Sequence, residues 1–312
     1  MVTEDSSEQA IPTVQALARH ILELVSGVPP GDRVKFEPLQ DQEASYAARA
    51  NLWKSTKNEG DHKKRVALVR EIATTLLQER EFVLWHIDAD CTWKGSDSGE
   101  QVENVEKFRK LIQDPVQVIV EGMIPAPEQP LEGAPPDGEP GVIVEGMIPA
   151  PEQARRRKGR RRSSRSGAPE DGVPASGPSG GSAEVMEKME KVMEKMEKLI
   201  LLVPHYSIES WLYQNTAEAI RICKKKDRGR HTKVFESWEK DRASLDEMKQ
   251  PKKKSGTCLG NRWNQCLAEK RFPAKAVYDT GKSFARAVEQ VRACVPLMEA
   301  LTSPSRAPHG AG

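Results

Sequence analysis

Apolar positions recur along this chain with two periods, one typical of helices and one typical of strands. Spacing of three and four residues predicts helices at 12–26, 66–78, 102–112 and 284–301. Apolar or alternating segments predict strands at 1–4, 33–39, 81–91 and 199–203. Strands that alternate with helices favour a parallel sheet that is covered on both faces. We therefore predict an α/β domain with a parallel sheet flanked by helices.

One long segment interrupts this alternation. Residues 113–181 hold 12 of the 22 prolines and 11 of the 22 glycines, and no Phe, Tyr or Trp occurs between Lys110 and His205. The string VIVEGMIPAPEQ occurs twice, at 118–129 and 142–153, and RRRKGRRRSSR follows at 155–165. This composition buries too little apolar surface to offset the entropy of ordering. We predict a disordered, Arg-rich insert over 113–184.

The other segments complete the predicted organisation. The first part of the α/β domain is 1–112, and 185–220 completes it with a helix, a strand and an acidic motif. We expect a mostly helical extension over 221–301 and a disordered tail over 302–312.

The helix predicted after the insert carries a methionine stripe. The string VMEKMEK is repeated at 185–191 and 192–198, which spaces Met186, Met189, Met193 and Met196 by three and four residues. The stripe packs onto its own domain in the simpler interpretation. A two-stranded coiled coil in a homodimer is the alternative.

Charge and cysteine content exclude several classes of protein. The 48 Lys and Arg residues nearly balance the 46 Asp and Glu residues, and the net charge of +2 selects no partner. No apolar run approaches 18 residues and the opening MVTEDSSEQ has no signal-peptide layout, so we expect a cytoplasmic protein without a membrane span. The five cysteines form no C-x-x-C pair, which favours reduced structural thiols, and His20, His62, His205 and His231 show no metal-ligand spacing.

Acidic residues follow three of the predicted strands. In FVLWHIDADC, strand alternation places His86, Asp88 and Asp90 on one face at the strand's carboxyl end. Glu4 closes the first strand, and Glu209 follows the strand at 199–203. Clustered carboxylates attract a hard divalent cation. The simpler alternatives are a helix cap or solvated pair for the D-x-D, a solvated terminus for Glu4 and a helix-dipole acid for Glu209.

These motifs resemble the Toprim domain. A glutamate closing the first strand and a D-x-D closing a later one are similar to its first two acidic motifs, although Asp5 stands where the family has glycine. The segment Ile208, Glu209, Trp211 and Leu212 resembles the third acidic motif of small standalone Toprim-like proteins related to the overcoming-lysogenization-defect (OLD) nucleases. The resemblance covers 1–112 and 199–220.

The resemblance implies phosphodiester hydrolysis of DNA or RNA, serving phage defence or mobile-element biology. Glu4, Asp88, Asp90 and Glu209 would hold Mg²⁺ or Mn²⁺. Some OLD-class enzymes add a lysine near the site, and Lys282 is the candidate for it here. The altered first motif favours a rival hypothesis, in which a non-catalytic binding or regulatory module keeps the fold. The sequence DTGKS around Lys282 ends like a phosphate-binding loop, but the preceding segment is a poor strand and we do not predict an ATPase.

Basic residues that could contact a nucleic-acid backbone form three groups. They are Lys54, Lys57, Lys63, Lys64 and Arg65; Lys224, Lys225, Lys226, Arg228 and Arg230; and Lys252, Lys253 and Lys254. The last two groups flank Trp238 and Trp263, a mixture of charge and aromatic rings that suits single strands. An ordinary charged surface is the alternative.

Overall fold

A small parallel sheet organises a mostly helical chain. The structure is a computed structural model that describes residues 1–4, 8–55, 58–93, 99–125 and 181–303. Its strands are β1 (Val2–Thr3), β2 (Val83–His86) and β3 (Leu199–Leu202), in the order β1-β2-β3. Both strand pairs are parallel. The predicted parallel sheet is therefore confirmed at three of the four predicted strands.

Helices make up most of the described chain. Before the insert they are α1 (Ala10–Ser26), α2 (Gln42–Arg49), α3 (Glu59–Leu77), α4 (Glu103–Phe108) and α5 (Asp114–Met123). After it come α6 (Gly181–Glu197), α7 (Glu209–Leu212), α8 (Thr216–Asp227), α9 (Thr232–Lys240), α10 (Arg242–Asp246), α11 (Pro251–Lys254), α12 (Asn264–Glu269), α13 (Ala274–Thr280), α14 (Lys282–Ala293) and α15 (Val295–Thr302). A π-helical turn at Arg109–Gln113 joins α4 to α5.

The sheet has a hydrophobic core on each face because its side chains alternate. Ile200 and Leu202 of β3 pack into a core with α1 and the helices that follow β3. Val83 and Trp85 of β2 pack into a second core with α2, α3 and α5. In this second core Trp85 meets Trp53 edge to face, with ring centroids 5.8 Å apart. Burial on both faces explains why FVLWHI is almost continuously apolar.

The strand predicted at 33–39 is wrong. Gly31–Arg33 is a 3-10 turn, and the residues after it lie outside the sheet. The segment is held by α1 instead: Gln15 donates to the Phe36 carbonyl at 3.3 Å, and Arg19 lies over the Phe36 ring at 5.1 Å. Side chains alternate between two sides in any extended segment, whether or not it pairs with a strand. The alternation at 33–39 was therefore not sufficient to predict a strand.

Two helix starts were missed because they depend on capping residues. The Asp41 carboxylate accepts from the Ala44 amide at 2.8 Å and begins α2, which was not predicted. The Asn58 side chain likewise accepts from the Gly60 amide at 2.8 Å, so α3 begins well before the predicted residue 66. Such caps satisfy amides that have no partner inside the helix.

The boundary of the disordered insert predicted at residue 113 is also wrong. Residues 114–123 form α5, whose Val116 and Val120 are fully buried in the second core, followed by buried Ile124. The first copy of VIVEGMIPAPEQ therefore begins as a packed amphipathic helix. Residues 181–184 belong to α6. The remaining insert, with the second copy at 142–153 and the Arg-rich run at 155–165, lies outside the described residues, as does the tail at 304–312.

The methionine stripe of α6 does not pack as the simpler interpretation expects. Met186, Met189 and Met193 are 60%, 57% and 61% exposed. The buried position is Val192, one residue away from the stripe, and Met196 is partly buried beside it. The homodimeric coiled coil stays a prediction.

Candidate metal-binding site

The three acid-bearing strand ends lie side by side at one edge of the sheet. Thr3 is in register with His86, and His86 with Leu202. Parallel pairing continues beyond the strands, because the Ile87 amide donates to the Leu202 carbonyl at 3.0 Å and the Ala89 amide to the Pro204 carbonyl at 3.2 Å. This carboxyl end of a parallel sheet is where ligands bind in α/β proteins. We call Glu4, Asp88, Asp90 and Glu209 the acidic edge.

Glu4 follows β1 and is almost fully buried. Its backbone amide donates to the His86 carbonyl at 3.4 Å, which carries the chain past the end of the strand. Its Oε2 accepts from the Lys54 ammonium at 2.6 Å, whereas its Oε1 is buried without a hydrogen-bond partner among the described residues. Burial raises the pKa of Glu4 to about 7, and Lys54 offsets only part of this effect.

His86 links the ends of β1 and β2. Its Nδ1 lies 3.2 Å from the Thr3 hydroxyl, and its Nε2 lies 3.1 Å from the Asp88 Oδ1 atom. The same Asp88 oxygen accepts from the Ile208 amide at 3.1 Å. This hydrogen bond brings Asp88 to the start of α7, where Glu209 is the next residue. With a side chain 33% exposed, Asp88 stays open to solvent while two neighbours fix its orientation.

Asp90 departs from the strand alternation that predicted its position. The strand ends at His86, and Asp90 has a left-handed backbone with φ of 61°. Its exposed carboxylate accepts from the Asn104 side chain at 3.0 Å, and the same amide donates to the Asp88 carbonyl at 2.9 Å. Asp90 therefore remains near Asp88 through Asn104 and not through a shared strand face, which corrects the predicted geometry.

Glu209 begins α7 and is paired with a lysine from a distant segment. Its carboxylate contacts the Lys252 ammonium of α11, and Lys252 also donates to the Asn261 side chain at 2.6 Å. Burial by itself raises the pKa of Glu209, but hydrogen bonds from Lys252 and Ser207 outweigh it and hold that pKa below its usual value. Glu209 is therefore ionised at neutral pH.

The acids of the edge are spread apart in this structure. Among the described residues, ligand atoms of three metal-binding side chains come within 4.8 Å of one another only in a separate group, Asp227, His231 and Cys258. Each carboxylate of the edge instead has its own partner, which is Lys54, His86, Asn104 or Lys252. The orphaned Glu4 Oε1 nevertheless fits a cation ligand, because carboxylate oxygens are the preferred donors for Mg²⁺ and Mn²⁺.

Lys282 has a salt-bridge partner that is not one of these carboxylates. Its exposed ammonium is 3.2 Å from the Glu247 carboxylate, its salt-bridge partner among the described residues. The chain before it is helix α13, so DTGKS does not form the strand–loop–helix of a phosphate-binding loop. Among the described residues Lys282 therefore forms no salt bridge with a carboxylate of the acidic edge.

A buried polar network lies next to Lys282. The Ser283 hydroxyl donates to Asp246 at 2.6 Å and accepts from the Trp211 indole at 2.7 Å. His205 Nε2 lies 3.5 Å from the same Asp246 carboxylate. Serine and histidine thus both face the aspartate and not each other, so the group lacks the serine–histidine contact that nucleophilic catalysis needs. Its role is to anchor α7, and so Glu209, against α10 and α14.

The predicted basic groups have divided roles. Lys54 and Lys252 contact the acidic edge, whereas Lys64 lies over the Tyr46 ring at 4.8 Å and Lys226 over the Trp263 ring at 5.4 Å. Lys57 lies outside the described residues. Trp263 is flanked by a second cation, since Arg262 lies 5.5 Å from its ring.

Comparisons with protein-family models, with curated proteins and with solved structures found no match. Within the part of the chain that the structure describes, no helix is long and apolar enough to cross a membrane.

Proposed function

We propose that this protein is a Toprim-like, metal-dependent phosphodiesterase that acts on nucleic acid and holds Mg²⁺ or Mn²⁺ at its acidic edge. The observation that carries the proposal is the buried Glu4 Oε1, which lacks a hydrogen-bond partner among the described residues. A buried oxygen without a partner loses its hydration and gains nothing in exchange. A cation at this edge, beside Asp88, would restore that interaction.

The side chains at the edge suit hydrolysis of a phosphodiester. A bound divalent cation would supply an activated water and neutralise charge on the attacked phosphate. Asp88 is open enough to reach both the ion and its water, and His86 and the Ile208 amide hold it in place. When no cation is bound, burial raises the pKa of Glu4 to about 7, so cation binding near neutral pH displaces a proton from Glu4.

The two lysines support the same function. Lys54 and Lys252 neutralise Glu4 and Glu209 when no cation is bound. A divalent ion would take over both carboxylates and release the ammonium groups at the edge of the site. Ammonium groups in that position bind phosphate oxygens through charge-assisted hydrogen bonds.

Cleavage assays with the full chain test the proposal. We expect wild type to cut labelled single- or double-stranded DNA or RNA with Mn²⁺ and not with EDTA. Asp88→Asn and Glu209→Gln should each lower the rate by about 100-fold or more, the scale typical of losing one group that stabilises charge in the transition state. The matched control is Asp279→Asn, an exposed acid paired with Lys275, which should keep the wild-type rate. Equal rates in wild type and Asp88→Asn would assign the cleavage to a contaminant and refute the proposal.

A non-catalytic nucleic-acid-binding module is the second candidate. The observation in its favour is that Glu4 and Glu209 already have lysine partners. In addition, no three of the four acids, which all lie in the described part of the chain, bring their carboxylate oxygens within 4.8 Å of one another. This alternative predicts that the protein retards nucleic acid in a gel equally with Mn²⁺ and with EDTA. It also predicts that no product forms under either condition.

A further inference from the structure

A second group of metal-binding side chains lies in the C-terminal helical region. Ligand atoms of Asp227, His231 and Cys258 all come within 4.8 Å of one another. A fourth donor, the Cys223 sulfur, lies next to this group: it accepts from the His231 amide at 3.4 Å and neighbours Cys258, although it is not among the three atoms that lie within 4.8 Å of one another. We call these four residues the sulfur cluster. None of them belongs to the acidic edge.

Local structure explains how one short segment supplies three of these donors. Cys223 and Asp227 are four residues apart on α8 and therefore share one face of the helix. Arg228 and Gly229 then adopt left-handed backbones, with φ of 48° and 78°, and reverse the chain. The reversal returns the His231 amide to the Cys223 sulfur, 3.4 Å away. His231 Nε2 lies 3.5 Å from the Asp227 carboxylate.

Cys258 arrives from the loop after α11. Gly256 in that loop presses against the His231 ring, since a Cβ atom there would lie 2.3 Å from Nε2. Gly256 also has a left-handed φ of 61°, so any other residue would be strained as well as obstructed. The loop is thus shaped to hold Cys258 against the end of α8. Both cysteines are fully buried, whereas the Asp227 and His231 side chains are 20% and 25% exposed, which leaves an entry path for an ion.

The donor set selects the kind of metal. Two sulfurs, one imidazole nitrogen and one carboxylate oxygen match a tetrahedral Zn²⁺ site, while Mg²⁺ and Mn²⁺ prefer oxygen ligands. Two thiolates and a carboxylate carry three negative charges, so a bound Zn²⁺ leaves the site with one. The basic run Lys224–Lys226 on α8 and Arg230, 3.9 Å from Asp227, can balance that charge.

We propose that Cys223, Asp227, His231 and Cys258 bind one structural Zn²⁺ ion. On binding, each thiol releases its proton to water as its sulfur–zinc bond forms, and the imidazole binds through a neutral nitrogen. The ion joins the end of α8 to the loop that follows α11. That loop begins after Lys254, two residues beyond Lys252, so a bound zinc ion would also help to position the lysine that pairs with Glu209.

Metal analysis of the purified full-length protein is the first test. We expect about one equivalent of zinc per chain in wild type. Cys258→Ser and Asp227→Asn should each weaken zinc binding by about 100-fold or more, and because the Asp227 side chain is partly exposed and Asn has the same shape, Asp227→Asn should stay folded. The matched control is Cys266→Ser, whose thiol contacts Glu218 outside the cluster and which should keep the wild-type zinc content.

Cobalt replacement identifies the ligands directly. Wild-type protein reconstituted with Co²⁺ should show thiolate-to-cobalt charge-transfer absorption in the near ultraviolet. Cys258→Ser should lose about half of that intensity, because it retains one of two thiolates, and His231→Gln should keep it. Zinc content equal in wild type and Cys258→Ser would overturn the proposal. So would a mass two hydrogens lower for the unreduced wild type, which marks a Cys223–Cys258 disulfide.

Discussion

The acidic edge and the sulfur cluster are built differently, although both are candidate cation sites. The edge collects carboxylates from three strand ends, and each is held by its own lysine, imidazole or amide partner. The cluster brings three ligand atoms within 4.8 Å, with a second thiol in contact. The difference has a physical cause. Ionised carboxylates repel one another when no cation is bound, whereas protonated thiols are neutral and can pack together.

The comparison implies two modes of metal binding. At the acidic edge an ion must compete with Lys54 and Lys252 for the carboxylates of Glu4 and Glu209. At the sulfur cluster three of the four donors are already adjacent, and binding requires the loss of thiol protons and a closer approach of the Cys223 sulfur. We therefore expect the edge to bind its cation weakly and reversibly and the cluster to retain its ion through purification.

The largest expected effect separates the two sites by metal and by mutation. Mn²⁺ at about 100 times its dissociation constant should stabilise wild type by about 2.7 kcal/mol and Asp88→Asn hardly at all. Zn²⁺ added to metal-stripped protein should stabilise both equally, because Asp88 lies outside the sulfur cluster. Melting curves of the two proteins with each metal and with EDTA measure this. If Asp88→Asn lost the zinc effect too, the two sites would not be independent.

The next effect concerns the pKa of Glu4, which burial raises from 4.5 to about 7. Between these values the folded protein binds more protons than the unfolded chain, so this contribution to stability is complete below about pH 4.5 and declines as pH rises through 7. Glu4→Gln removes this loss of stability, because glutamine does not titrate. Between pH 5 and pH 8 the unfolding free energy of wild type should therefore fall by about 2 kcal/mol relative to that of the variant, since each pKa unit corresponds to about 1.4 kcal/mol. The unfolding free energies of both proteins are measured with denaturant across this pH range. If they changed equally with pH, the raised pKa of Glu4 would be contradicted.

Removing Lys252 should have a smaller and opposite effect. Lys252→Met leaves the buried Glu209 carboxylate without its ammonium partner, so burial should then raise the pKa of Glu209. We expect a loss of about 1 kcal/mol at neutral pH, because the lysine is partly exposed and water screens the pair. The loss should shrink near pH 5 and be reversed by Mn²⁺. Lys252→Arg, which keeps the charge, is the control in the same urea titrations.

The smallest effect is expected at Lys282. Its side chain is 67% exposed and pairs with Glu247, so Lys282→Ala should change stability by less than about 0.5 kcal/mol. The Mn²⁺-dependent shift in melting temperature should remain as in wild type, because Lys282 does not contact the acidic edge. Loss of that shift in Lys282→Ala would show that Lys282 contributes to cation binding at the acidic edge.

Part of the fold and of the site could be predicted because the signals are local. The apolar run FVLWHI was sufficient to predict β2, and the acids that follow it were visible as Asp88 and Asp90. The helix spacing at 12–26 was also sufficient to predict α1. The extended segment at 33–39 could not be distinguished from a strand, because alternation does not reveal whether a partner strand is present.

The sulfur cluster shows why other features could not be predicted. Cys223, Asp227 and His231 recur at every fourth position, which is a helical signal that could have been noticed. The spacing of Cys258, a further 27 residues along, matches no common zinc motif, and only the packing of the α11 loop brings it to His231. The burial of α5 was hidden for a similar reason, since Val116, Val120 and Ile124 acquire their neighbours from α3 and the second core.

The sequence by itself determined which segments alternate as strands and helices, and which acids stand at the strand ends. These properties follow from side-chain period and from residues adjacent in the chain. Only the tertiary structure decided that Lys54 and Lys252 neutralise Glu4 and Glu209, that Lys282 pairs with Glu247, and that two cysteines meet beside His231. Contacts between residues far apart in sequence depend on how helices pack against the sheet. Local periodicity carries no information about that packing.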